Sequence, residues 1–252
     1  MDGLTANRPP GAGGAPRIAA VIPALNEADA IGRVVAGLLG RADVAIDRVI
    51  VVDNGSTDGT GERARAAGAQ VVREERRGYG RACLAGVLAA QDAEIIVLLD
   101  GDAADDLPRI VAPLLAGEAD LVVGARARGA REAGAMTPQQ IFGNALAARL
   151  MGLLYGVRVT DLGPFRAIRR ADLLRLAMSE MTYGWSVEMM VKAARAGYRY
   201  REVPVRYHRR IGVSKVGGTL AGSVRAGWCI LATTLRHCRW AAALPVSQRL
   251  EA

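Results

Sequence analysis

Glu94-Ile-Ile-Val-Leu-Leu-Asp-Gly-Asp102 decides the fold. It is apolar without a break from Ile95 to Leu99 and then turns abruptly into acid, glycine, acid. An uninterrupted apolar run bounded by turn residues reads as a strand buried on both faces, which places it in a parallel sheet covered by helices. Runs of the same kind stand at 18–22, 48–52 and 70–72 before it, and at 120–123 after it. Residues 30–39 and 79–90 between them repeat with a helical period. The alternation predicts an α/β domain with a mostly parallel, Rossmann-like sheet flanked by helices.

The second half is less regular. Residues 137–155 read as a helix entered through Pro138, a residue suited to the first helical position. Residues 164–168 read as a strand. Residues 186–196 read as a helix with Val187, Met190, Val191 and Ala194 on one face. Residues 198–207 alternate as a strand does, and Pro204 sends that strand to a sheet edge or a bulge. No internal repeat or clear linker divides the chain. We therefore expect a tail over 1–16, rich in Gly, Pro and Ala, one domain over 17–216, and a C-terminal helix and tail over 217–252. Residues 217–235 come nearest to a membrane span, but Arg225 interrupts them. They read as an amphipathic helix, packed on the core or lying on a membrane surface.

The 252 residues carry a net charge of +8, a balance that suits phosphate-bearing partners. No zinc-finger spacing, interleaved aromatic and basic pattern or long basic block points to nucleic acid. The three cysteines, Cys83, Cys229 and Cys238, form no CxxC pair, which excludes a common zinc site and suits a reduced, cytoplasmic protein.

In sheets of this kind ligands gather beyond the carboxyl ends of the strands. Here successive strands end in Asn26-Glu27, Asp53-Asn54 and Asp100-Gly101-Asp102. Any one of these could be a helix cap; three in a row argue for a site. Residues two apart in an extended segment point the same way, so Asp100 and Asp102 can converge on one ligand, and Gly101 leaves the approach open. One or two carboxylates completed by phosphate oxygens is how Mg2+ or Mn2+ is commonly held. A calcium EF-hand loop is excluded, since Asp105 stands at its glycine position and Val111 at its closing glutamate. There is no GxxxxGK[ST] loop. Gly78-Tyr-Gly80 begins a dinucleotide fingerprint that Cys83 breaks.

Val21-Ile-Pro-Ala-Leu-Asn-Glu27, Val52-Asp-Asn-Gly-Ser-Thr-Asp-Gly-Thr60 and Leu99-Asp-Gly-Asp102 resemble, in order and spacing, the donor-site motifs of family 2 glycosyltransferases. The resemblance runs from about Arg17 to Lys215. It implies the GT-A fold with a C-terminal extension on the acceptor side. Thr160-Asp-Leu-Gly-Pro-Phe-Arg166 and Arg210-Ile-Gly-Val-Ser-Lys215 look like the branch containing dolichyl- and polyprenyl-phosphate sugar synthases. The resemblance implies that Pro23, Ala24, Asn26 and Glu27 line the base and ribose pocket and that Asp53 contacts the base or its ribose. It places metal and diphosphate at Asp100, Gly101 and Asp102, and phosphate contacts at Arg210, Ser214 and Lys215. Two features depart from the branch. Ala104 stands where a Gln often follows the second acid, leaving Asp105 as a substitute ligand, and no membrane helices follow the domain.

The acceptor decides what else is needed. A hydroxyl needs a carboxylate base. A phosphate is already largely ionised at neutral pH and needs cations. Glu188, early in a helix, and Asp161, in a Gly-Pro turn, are the candidate bases. Arg126, Arg128 and Arg131 are candidate phosphate clamps, and Trp185 can stack on a sugar or fill the core. The expectation is a metal-dependent inverting transferase acting on a polyprenyl phosphate, with peripheral contact at the inner face of the membrane and no nucleic-acid partner. A soluble hydroxyl acceptor, a nucleotidyltransferase and a non-catalytic nucleotide-binding protein are the alternatives.

Overall fold

A computed structural model of the chain describes residues 15–100, 105–129, 138–206, 228–229 and 231–237, apart from the side chains of 138–140 and 142. The sequence reading of the tail up to residue 14, and of Gly101, Asp102, Ala104, Arg131, Arg210, Ser214 and Lys215, falls outside these residues.

Strands and helices alternate as β1 (Ile18–Ala24), α1 (Ala28–Leu39), β2 (Arg48–Asp53), α2 (Thr60–Ala66), β3 (Gln70–Arg73), α3 (Tyr79–Ala89), β4 (Ile95–Leu98), α4 (Leu107–Leu115) and β5 (Leu121–Ala125). Then follow α5 (Pro138–Tyr155), β6 (Arg166–Arg169), α6 (Arg170–Arg175), α7 (Trp185–Arg195) and β7 (Tyr200–Pro204). The strands lie in the order β3-β2-β1-β4-β6-β5-β7. Only β6 runs against its neighbours, antiparallel to both β4 and β5. Pro204 closes β7 at the sheet edge, where a residue without an N–H is tolerated.

Alternate residues of each strand feed two cores, as the period of two requires. Val21, Val52, Ile96 and Leu98 face α3, α5 and α7 through Cys83, Val87, Met151 and Met190. Ile22, Val51, Val97 and Leu99 face α1, α2 and α4 through Ile31, Val35, Ala64 and Ile110. Burial on both faces is why these strands read as continuous apolar runs. Short α2, α4 and α6 were not legible as periodic segments.

The reversed direction of β6 matters for the site. Its start lies at the same rim as the carboxyl ends of the other strands. Register pairs Arg166 with both Leu98 and Val123. The loop before β6, carrying Asp161, therefore shares a rim with Asp53, Asp100 and Arg126. Leaving β4 on the α3 side, Asp100 follows Leu99, whose N–H bonds Val21 O at 3.2 Å.

Candidate functional site

The first two strand ends are sewn together by side chains. Asn26, held at a positive φ of 50°, takes the Thr57 N–H on its carboxamide oxygen at 2.8 Å, and its own N–H donates to Ser56 Oγ at 3.0 Å. Glu27 N donates to Thr60 Oγ1 at 2.8 Å, and Ala28 N to Asp58 Oδ2 at 3.2 Å. Asp58 thus caps α1 from the neighbouring loop, a structural role of the kind that capping residues fill. Asp53 Oδ1 accepts the Ser56 N–H at 2.8 Å. Its other oxygen lies against Gly61, where a Cβ would stand 3.1 Å from Oδ2. Glycine at that place leaves the carboxylate room at the half-exposed strand end.

Asn54 is the fastener of this rim. Its amide nitrogen donates to Glu74 O at 2.8 Å and Arg76 O at 2.9 Å, and its oxygen accepts the Gly78 N–H at 2.8 Å. One nearly buried side chain thereby joins the ends of β2 and β3 to the start of α3. Pro23 is half-buried beside it. The Ala24 methyl packs in the core, so that residue offers the rim its backbone, and its carbonyl accepts the Asn54 N–H at 2.9 Å.

Asp100 is half-buried on the α3 side of the sheet, within electrostatic reach of Tyr79 and Cys83. Burial, with the Asp100 charge adding to it, pushes the Cys83 thiol far above the ordinary thiol range. Cys83 thus stays protonated, and Asp100 offers oxygen alone; among the described residues no group of three His, Cys, Asp or Glu side chains is placed to hold a metal ion.

On the far side of the rim the 160–163 loop is pinned from four elements. Glu202 of β7 accepts from Thr160 N at 2.6 Å, Thr160 Oγ1 at 2.8 Å and Asp161 N at 3.1 Å. Asn144 of α5 accepts the Leu162 N–H at 2.9 Å and donates to Thr160 O at 2.9 Å. Asp161, fully buried, takes the Arg126 backbone N–H, Nε and Nη2. Arg166, also buried, donates to Leu162 O, Gly163 O and Ser186 O and so ties the loop to the start of α7. Burial draws the pKa of this guanidinium down, offset in part by Tyr79, Tyr200 and Asp161 nearby. Arg128 is exposed, 4.0 Å from Glu202.

Glu188 has a different setting. Its carboxylate accepts the Ser179 and Glu180 N–H groups and the Ser179 hydroxyl, and pairs with Lys192 at 2.8 Å. Burial raises its pKa, but Lys192, Ser179 and Glu180 outweigh that and hold it below the usual carboxylate range. Lys192 also donates to Ala177 O at 2.7 Å. Both groups shape the loop between α6 and α7. That loop in turn rests on the start of α3, where a Cβ on Gly78 or Gly80 would stand 2.3 Å from Met181 O or Glu180 O. The Gly78-Tyr-Gly80 pair is explained by this close backbone approach. Trp185 is 1% exposed and fills the core.

The structure therefore gathers Asn26, Glu27, Asp53, Asp100, Arg126 and Asp161 along one rim and sets Glu188 beneath it among partners of its own. Sequence reasoning gave no role to Asn54, Lys192 or Glu202, because nothing in a linear pattern marks which polar groups meet across the fold. Arg166 was quoted as the end of the Thr160–Arg166 motif, and its buried ties to Leu162 O, Gly163 O and Ser186 O appear only in the fold.

Comparison with known proteins agrees with the fold. The family model described as glycosyl transferase family 2 matches residues 19–176. An uncharacterized glycosyltransferase of Mycobacterium tuberculosis is 40% identical over 214 residues, covering 83% of this chain and 94% of its own. A dolichyl-phosphate hexose transferase of Haloferax volcanii is 36% identical over 229 residues, covering 87% and 95%. Among solved structures, glucosyl-3-phosphoglycerate synthase from Mycobacterium tuberculosis, in complex with Mn2+, UDP and phosphoglyceric acid, superposes with a TM-score of 0.71 at 27% identity. That match covers 90% of this chain and 80% of the synthase.

Proposed function

This chain belongs to glycosyl transferase family 2, and from that membership we propose that it moves a sugar from a nucleotide-sugar to a polyprenyl phosphate. It is a glycosyltransferase of GT-A fold, and the family sets aside the nucleotidyltransferase and the non-catalytic binding protein. The observation that carries the acceptor is the state of the two candidate bases. Asp161 is locked to Arg126, and Glu188 to Lys192, Ser179 and Glu180. A carboxylate so engaged is a poor proton acceptor. A phosphate nucleophile asks for none.

Pro23, Asn26, Glu27 and Asp53 receive the nucleoside, in a loop pair already ordered by its own hydrogen bonds. Asp100 and Asp102 would hold the divalent metal, Mg2+ or Mn2+, and when bound it would supply charge compensation for the departing diphosphate. With the Arg126 guanidinium taken up by Asp161, Arg128, Arg210, Ser214 and Lys215 are left to contact the acceptor phosphate. Its oxygen bonds to the anomeric carbon as the bond to the nucleoside diphosphate breaks, so the configuration inverts and the electron pair leaves with the diphosphate. The structural neighbour crystallised with UDP and Mn2+ supports the donor, and the dolichyl-phosphate relative, matched along nearly its whole length, supports the acceptor.

A second reading, a soluble acceptor, draws on the same neighbour's phosphoglyceric acid. Radiolabelled UDP- and GDP-sugars with Mn2+ are offered undecaprenyl phosphate or 3-phosphoglyceric acid. Label passing into the organic phase is the expected outcome. Label found only in a water-soluble product would overturn the lipid acceptor.

A further inference from the structure

The C-terminal helical segment is built inside out. Thr233, Thr234 and His237 face the protein and are buried. Tyr155 donates to Thr234 O, and His237 Nε2 lies 3.3 Å from Glu188 Oε1. Trp228 and Leu235, seven residues apart and so on one helical face, point outward, 74% and 60% exposed. Polar groups meet the domain, and the apolar stripe meets solvent, the reverse of an ordinary surface helix.

The end of α5, joined to this segment through Tyr155, repeats the pattern. Ala147 and Met151 are its buried face, yet Leu153 is 81% exposed and Leu154 lies beside it, also exposed. A helix apolar on both faces implies a second apolar neighbour. Charge identifies that neighbour. Residues 133–160 contain no Asp or Glu, and neither do residues 203–250, which carry eight Lys and Arg. Arg149 and Arg158 flank the exposed leucines in the sequence, and Arg236 follows Leu235. Exposed leucines and a tryptophan beside the exposed cations Arg149 and Arg158 are the chemistry that docks on an anionic bilayer: the apolar side chains enter the headgroup boundary and the two arginines meet lipid phosphates, while Arg236 is paired with Glu180. Among the described residues no helix is long and apolar enough to cross a membrane, so the contact is peripheral.

We propose that the outward face formed by the end of α5 and by residues 228–229 and 231–237 is a membrane-docking surface for anionic phospholipid. The proposal rests for its purpose on the lipid-phosphate reading above, since it would bring the rim to where such an acceptor resides.

The test is sedimentation of the full chain with phosphatidylcholine vesicles, alone or mixed equally with phosphatidylglycerol, with no polyprenyl phosphate present. Docking is therefore scored apart from the acceptor. Binding to the mixed vesicles is expected, weaker at high salt. The exposed-site pair Leu153→Glu/Trp228→Glu should lower it about tenfold or more, and Arg149→Glu/Arg158→Glu should lower it without touching an apolar residue. Melting curves matching the parent show that the variants remain folded. Absence of binding, or equal binding by both folded variants, overturns the proposal. So does a dimer of the parent chain that Leu153→Glu/Trp228→Glu dissolves, because the face would then belong to a second copy.

Discussion

Asp161 Oδ2 takes two hydrogen bonds from Arg126, the backbone N–H at 2.6 Å and Nε at 3.0 Å, while Oδ1 takes Nη2 at 2.8 Å. The carboxylate is fully buried and the guanidinium largely so. Breaking such a pair from one side leaves a stranded charge. Asp161→Ala should cost about 3 kcal/mol or more in a urea titration, and Arg126→Ala a similar amount. The double variant should cost less than the sum, since the partners share one interaction. A strictly additive cycle would show that the two do not act as a unit.

Acid should loosen the C-terminal segment before it unfolds the sheet. Burial holds the His237 pKa below its ordinary 6.5, with Lys192 and Arg236 acting the same way against the pull of Glu188 and Glu180. Glu188 is held below its ordinary 4.5. For both groups the unfolded state binds the proton more readily. Their contribution is therefore present above the unfolded pKa and lost as pH falls through the folded one. Tryptophan fluorescence against pH should show a first loss of order below about 6.5 and a second below about 4.5. His237→Asn should flatten the first step alone; an unchanged profile in that variant would assign the step elsewhere.

Gly80→Ala tests the seat of the 180–181 loop. The new methyl would sit 2.3 Å from Glu180 O, so backbone must move. Overpacking of this kind costs about 1–3 kcal/mol. Gly78→Ala adds strain, because its φ of 152° is a glycine conformation. Both should lower the melting temperature. Gly37→Ala, where a Cβ meets nothing within 4 Å, serves as control and should leave it unchanged or higher.

Metal and donor should bind together. A mixture of Mn2+ and nucleotide-sugar should raise the melting temperature, as any ligand of the folded state does. Asp100→Ala and Asp102→Ala should abolish that shift and transfer with it. Chelation should do the same while leaving the apo melting temperature in place, since only the ligand-bound state loses a partner. Retained transfer by Asp102→Ala would remove the metal from the reaction.

Most of the fold was readable because apolar continuity is a local signal. The runs ending at Ile22, Val52 and Leu99 became β1, β2 and β4, and the alternation with Pro204 became the edge strand β7. That Glu27, Asp53 and Asp100 share a rim was readable for the same reason: residues that leave neighbouring parallel strands come out at one edge. Roles were less readable. Glu188 and Asp161 have the composition of bases, but Asp161 meets Arg126 across 35 residues, and Glu188 is engaged by Lys192 one turn along α7 and by the 179–180 loop. Arg126 looked like a phosphate clamp, yet its guanidinium meets a carboxylate 35 residues on. Of the 217–235 stretch, read as an amphipathic helix, residues 217–227 and 230 lie outside the described residues; among the rest Thr233 and Thr234 turn inward.

The sequence by itself determined a doubly covered, mostly parallel sheet with acids at one end, because strand burial and strand direction follow from hydrophobic period and connection length. Tertiary structure decided which of those acids remain available. A carboxylate's chemistry depends on the donors around it, and those donors, Arg126 just after β5 for Asp161 and Lys192 of α7 with the 179–180 loop for Glu188, meet only in the packed chain.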